Sequence, residues 1–234
     1  MKPDGIPAKF SYIPRQSYLG STAGLQARPF RRKFVELQAI SDISMCIEGR
    51  AMATTEKLLT AEEFEALPDD GKRYELIDGE LREVAPTVNW HGEVETNLTA
   101  LLHTHVRAHG LGRVSCGEIL YIVCRNPDRV RAADIAFLRQ DRVPPLEARQ
   151  HIMEVIPDLV VEILSKSDTI EEVSDKIDDW LNAGVQMLWI VDPFRRTVTI
   201  YQPELDPVLL GERATLQADP VVPGFRCSVA EIFA

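Results

Sequence analysis

Lysine is scarce where the sequence becomes periodic: from residue 52 to the end there are four, Lys57, Lys72, Lys166 and Lys176. That segment carries 18 Lys+Arg against 32 Asp+Glu, a balance of −14, because residues 1 to 51 hold 8 of the basic and only 4 of the acidic side chains. A domain with that balance does not attract a polyanion by bulk electrostatics; any hold on phosphate must be local. The four cysteines, Cys46, Cys116, Cys124 and Cys227, show no CxxC spacing, which argues against a zinc knuckle or a disulfide framework. They read as reduced thiols serving as small hydrophobes. No apolar run reaches the length of a membrane span and no secretory core opens the chain, so a cytoplasmic location without membrane partners is expected. A GxSxG elbow and a glycine-rich phosphate loop are both missing, so neither an α/β-hydrolase nor a P-loop nucleotide site is indicated.

What is present divides into two kinds of sequence. Residues 1 to 51 scatter Pro, Gly, Ser and Arg without a sustained period, as a disordered arm does, and Met52 offers a second start. The arm reads as an upstream extension, or else as a basic segment that touches nucleic acid. Residues 52 to 234, in a chain 45% hydrophobic and 26% charged, suffice for one core. Thr60 with Glu63 forms a capping box for a short helix ended by Pro68 and Gly71. "YELIDGELREV" is a hairpin around Asp78-Gly79. A helix follows from about 89, with Val94, Leu98, Leu101, Leu102, His105 and Val106 at helical spacing and Gly110 as its stop. Strands are expected at about 113 to 124, 129 to 138 and 157 to 164. A helix at about 170 to 183 should bury Ile170, Val173, Ile177, Trp180 and Leu181, and the strands "QMLWIVD" and "TVTIYQP" complete the order.

Three successive strands each hold one isolated carboxylate among apolar residues: Glu118, Asp134 and Glu162. A buried ionised acid costs several kcal/mol unless it is protonated, paired or metal-bound. On its own strand Glu162 could be a structural partner of an Arg or Lys as readily as a functional group. Asp158 shares its face but lies roughly 13 Å away along the strand, too far to share a cation. If the three strands form a meander, Glu118, Asp134 and Glu162 can converge, and an oxygen-only set suits Mg²⁺ or Mn²⁺ rather than zinc. Lys176 falls at the margin of the helix's buried face and leans toward the sheet, or else snorkels to pair with Glu172. His105 and His109 are one turn apart, but Val106 occupies the place of a zincin glutamate. His91 opens its helix near the acids. Arg125, Arg129, Arg131, Arg139 and Arg142 surround the second strand, where they could track phosphates or protect a sheet edge.

"YELIDGEL", "RAADIAFL", "PDLVVEILSKSD", "DKIDDWLNAGVQMLWIVDP" and "TVTIYQP", in this order over residues 54 to 234, resemble the Uma-type restriction endonuclease family of the PD-(D/E)xK nuclease superfamily. The resemblance implies an α/β (α+β) restriction-endonuclease-like core, a mixed central β-sheet flanked by helices, with an N-terminal helix and β-hairpin. It also implies divalent metal and hydrolysis of DNA. Asp134 matches the family's metal-binding aspartate and Glu162 the acid of the (D/E)xK strand. Leu164 stands at the usual lysine position, and Lys176 occupies the helix place to which the lysine has moved. Ala133 replaces the usual proline before the aspartate. Lys166 replaces the proline of an "SPS" turn and is a rival for the lysine role. The alternative is a non-catalytic DNA- or protein-binding module on the same fold. A homodimer is compatible with either.

Overall fold

The computed structural model describes residues 57–234; the arm expected over residues 1 to 51 lies outside them. Helix α1 (Ala61–Glu65) starts at the expected capping box, in which Thr60 accepts from the Glu63 backbone and the Glu63 carboxylate accepts from that of Thr60. The hairpin β1 (Arg73–Ile77) and β2 (Glu80–Val84) turns at Asp78 and Gly79, both at positive φ. Helix α2 (Asn89–His109) buries Val94, Leu98, Leu102 and Val106, and Gly110 ends it in the left-handed region. Strands β3 (Gly112–Cys124), β4 (Arg129–Arg139) and β5 (Leu159–Ile163) pair as the expected antiparallel meander. Helix α3 (Ile170–Ala183) then crosses to β6 (Met187–Asp192), which runs parallel to β5. β7 (Thr197–Tyr201) and β8 (Val208–Leu210) extend the sheet, and β9 (Thr215–Gln217), β10 (Arg226–Ser228) and α4 (Val229–Ile232) close the chain.

The result is a mixed, mostly antiparallel sheet in the order β2-β1-β4-β5-β6-β7-β8, with β3 on the opposite edge of β4. Helix α2 and the C-terminal elements cover one face, around Phe137, Trp189, Phe225 and Ile232. Helix α3 covers the other through Trp180, against Tyr121, Val160 and Leu188. Both central strands β5 and β6 are buried throughout, which explains why they are apolar apart from Glu162 and Asp192. Ile170 departs from expectation: it is 92% exposed, because the first turn of α3 overhangs the sheet before the helix reaches it. Among the described residues no helix is long and apolar enough to cross a membrane.

One edge of β4 is shared by two strands. Leu76 of β1 pairs with Val130, while Val161, Val160 and Leu159 of β5 pair with Ile135, Ala136 and Phe137. Residues 131 to 134 lie in the fork between them. The other edge of β4 is irregular at the same level, since β3 carries a bulge between Cys116 and Ile119. Gly117 and Glu118, at φ 93 and 60, therefore face Asp134 alone. Ala133 and Ala136 pack into one cluster although three residues apart, so the alternation of β4 breaks at Asp134 as well.

Candidate active site

The fork leaves backbone N–H groups without a partner strand, and acidic side chains take the strand's place. The N–H of Ala132 donates to Glu75 Oε1 at 3.1 Å, and that of Ile163 donates to Asp134 Oδ2 at 2.6 Å. A buried N–H must find an acceptor, so these two acids are fixed by the sheet itself. Extending the β4–β5 register by one residue sets Asp134 opposite Glu162. Both are buried, and so is Glu75.

Glu162 is held from the helix side. Trp180 Nε1 donates to Oε1 at 2.7 Å and Lys176 Nζ donates to Oε2 at 3.1 Å. Lys176 Nζ is also 4.0 Å from Glu75 Oε1. The four-residue spacing of Lys176 and Trp180 puts both on the face of α3 that meets the sheet. Burial raises the Glu162 carboxyl to about 7 despite the lysine, and the charges of Asp134 and Glu75 push the same way. Burial alone would lower the Lys176 ammonium, but Glu162, Glu75 and Asp134 together hold it above its ordinary value. Three carboxylates around one ammonium cannot all ionise without cost, which makes the centre electrostatically demanding.

A second layer fixes α3. Arg131, buried, donates to Glu75 Oε2 and to Asp179 Oδ2, each at 2.7 Å, while Arg129 bridges Asp179 and Asp78 at the same distance. Asp179 lies between Lys176 and Trp180 in sequence, so its two arginines anchor the helix that delivers both. On the other face of the fork, His91 Nε2 is 3.3 Å from Asp134 Oδ2, and its buried Nδ1 has no partner among the described residues. Burial would lower the His91 imidazole, yet the hydrogen bond and charge of Asp134, with Glu95 and Glu118, raise it. Glu95, one turn along α2, accepts from the Gly117 N–H at 2.8 Å; burial and Asp134 raise its carboxyl.

The structure therefore brings Asp134, Glu162 and Lys176 together but treats other expected residues differently. Glu118 sits in the bulge beside Asp134, but its carboxylate is ion-paired with Arg73. Among the described residues no three His, Cys, Asp or Glu side chains form a ready cage for an ion. Lys166 points away, its ammonium 5.8 Å from the centre of the Phe194 ring. The arginines around β4 are ion-paired, Arg131 in the interior and the others at the surface. Arg125 pairs with Asp128, Glu62 and Glu154, and Arg139 and Arg142 with Asp158. His105 and His109 stack on each other and bond to backbone carbonyls of Pro223 and His105. Of the cysteines taken as buried hydrophobes, Cys227 is buried, while Cys116 and Cys124 are exposed and Cys46 lies outside the described residues. Sequence reasoning missed Glu75, although the rule that singled out the other acids, one carboxylate in an apolar strand, applies equally to "YELI".

The Uma2 family, described as "Putative restriction endonuclease", matches residues 61–230. Among solved structures, the chain is similar to a protein from Anabaena variabilis described as a "putative nuclease". The TM-score is 0.66 and the identity 23%, covering 75% of this chain and 97% of that one. At that identity the likeness carries the fold alone. No curated protein matches the chain significantly.

Proposed function

Because the chain belongs to the Uma2 family, we propose that it is a metal-dependent endonuclease that hydrolyses phosphodiester bonds of DNA, with Asp134, Glu162 and Lys176 at its centre. The observation that carries this reading is the fork: two buried carboxylates on neighbouring strands, opposite each other, with one ammonium 3.1 Å from the nearer. The donor set fits a hard divalent cation such as Mg²⁺ or Mn²⁺. It is oxygen-only, and Asp134 Oδ1 receives no hydrogen bond from the described residues. Asp134 and Glu162 would hold the cation; Glu118, committed to Arg73, is left out of the set. When bound, the cation supplies Lewis acidity at the phosphate.

The chain's own groups do the rest. Lys176 stays charged at neutral pH and offers N–H donors to an attacking water or to a phosphoryl oxygen whose charge grows in the transition state. Trp180 and the Ile163 N–H fix the two acids so that no reorganisation is needed during reaction. A second reading, a non-catalytic DNA- or protein-binding module, is favoured by one observation: both oxygens of Glu162 already have protein donors. The two readings part in a cleavage assay on single-stranded, duplex and branched DNA, with Mg²⁺, with Mn²⁺ and with chelator. Metal-dependent cleavage that disappears in Glu162→Gln supports the nuclease. Absence of cleavage on every substrate, with no change in melting temperature on adding Mn²⁺, overturns it.

A further inference from the structure

Two aromatic rings stand open at the end of the sheet that holds the acids. Glu162 lies at the C-terminal end of β5, and β6 runs parallel to it, so the segments leaving both strands emerge at that end. The segment after β5 carries Lys166 and the turn after β6 carries Phe194. The first turn of α2 carries Trp90, the residue before His91, which touches Asp134. Trp90 and Phe194 meet edge to face, with ring centroids 5.3 Å apart and planes at 88°, and the Lys166 ammonium sits 5.8 Å from the Phe194 ring centre. Despite their contact, Trp90 is 38% and Phe194 43% exposed.

Holding the fold together does not require this pair. The turn bearing Phe194 is already closed by Asp192, whose Oδ1 accepts from the Phe194 and Arg195 N–H groups at 2.9 and 3.0 Å. The turn bearing Lys166 is closed by Asp168, which accepts from the Ser165 N–H and hydroxyl. Asp192 and Asp168 are thus engaged by the backbone of their own turns, and the cations beside the rings are Lys166 and Arg195, whose side chain is 83% exposed although it lies 3.5 Å from Asp192 Oδ2. Rigid, open aromatic faces beside cationic side chains are what stack nucleobases and steer their phosphates. Duplex DNA keeps its bases stacked inside and has none to offer. We infer that Trp90, Phe194 and Lys166 form a stacking platform for an unpaired base next to the cleaved bond, which makes single strands and the unpaired arms of branched DNA the substrate class.

The inference rests on the nuclease reading for the site it borders, but binding tests it separately. Trp180 and Trp189 are fully buried, so Trp90 supplies the acrylamide-accessible tryptophan emission. In chelator, a short oligothymidylate should quench that emission and shield it from acrylamide, while a blunt duplex of equal length should do neither. Phe194→Ala should weaken oligothymidylate binding about tenfold without lowering the melting temperature. If that variant does not fold, Lys166→Gln, at an exposed position, should weaken binding several-fold. Equal effects of duplex and single strand, or unchanged affinity in a folded Phe194→Ala, overturn the platform even if the protein cleaves DNA. Shielding of Trp90 that rises with protein concentration alone assigns the patch to a second copy and also overturns it. Oligothymidylate binding that persists where no DNA is cleaved upholds the platform while the nuclease reading falls.

Discussion

The two ends of β5 and its approach hold one buried acid each, Asp158 and Glu162, four residues apart on the same face, and the sheet treats them in opposite ways. Asp158 is fully buried and surrounded by donors: the Arg139 N–H at 2.9 Å, Arg142 Nη1 at 2.6 Å, Gln186 Nε2 at 3.4 Å and Arg139 Nε at 3.5 Å. Glu162 has one ammonium and one indole N–H, and further carboxylates press on it. A structural acid is given more donors than it needs. Glu162 is given fewer, and its carboxyl is raised to about 7, which is what the nuclease reading requires of an acid kept for chemistry.

The comparison breaks most visibly if the lysine is removed. Lys176→Met keeps much of the side-chain length but deletes the charge, and cleavage in single-turnover assays should fall by on the order of 10²–10³-fold with the fold retained. Full activity would place Glu162 in the same structural class as Asp158. The converse variant, Asp158→Ala, should leave the chemistry of the remaining folded protein intact but cost about 3 kcal/mol in chemical denaturation. That is the low end for breaking a buried pair, because Arg142 and Arg139 are 32% and 46% exposed and solvent compensates in part.

The pH dependence sharpens the same contrast. Between the ordinary carboxylate value of 4.5 and about 7 the folded protein keeps a proton on Glu162 that the unfolded chain releases. Metal-free stability should therefore fall as pH rises through that window and level off above it, by about 3 kcal/mol in the wild type relative to Glu162→Gln. A flat difference between the two proteins would contradict the raised carboxyl. The smallest effect is expected at the start of α3, where Thr169 accepts from the Glu172 N–H and the Glu172 carboxylate accepts in return. Thr169→Ala should lower stability by about 1 kcal/mol, read from the denaturation midpoint.

Much of this was legible in the sequence because period and punctuation agree there. The strands expected at 113 to 124 and 129 to 138 fall within a residue of β3 and β4, and the helix expected at 170 to 183 is α3. Strands β8, β9 and β10 were not legible, since three residues carry no period. Glu75 was passed over because its stretch was read only for the turn at Asp78-Gly79, and β1 reaches the site through its pairing with β4, which no local pattern announces. The interior role of Arg131 was not legible because its partners come from remote segments, as Asp179 does, 48 residues away. Spacing within one element foretold which side chains share a face, but not which carboxylate in another element would claim them.

The fork gives inactivation an unusual thermodynamic sign. Acids crowded at an active site usually weaken the fold, so that truncating them gains stability at the expense of function. Here Asp134 and Glu75 are also the acceptors that close a gap in the sheet for Ile163 and Ala132. Truncating Asp134 strands the buried N–H of Ile163, which costs about 1–3 kcal/mol, and truncating Glu75 strands the half-buried one of Ala132. Under the proposed function, folding and chemistry therefore both select for Asp134, and a descendant that had abandoned cleavage would still be held to it by its need to fold.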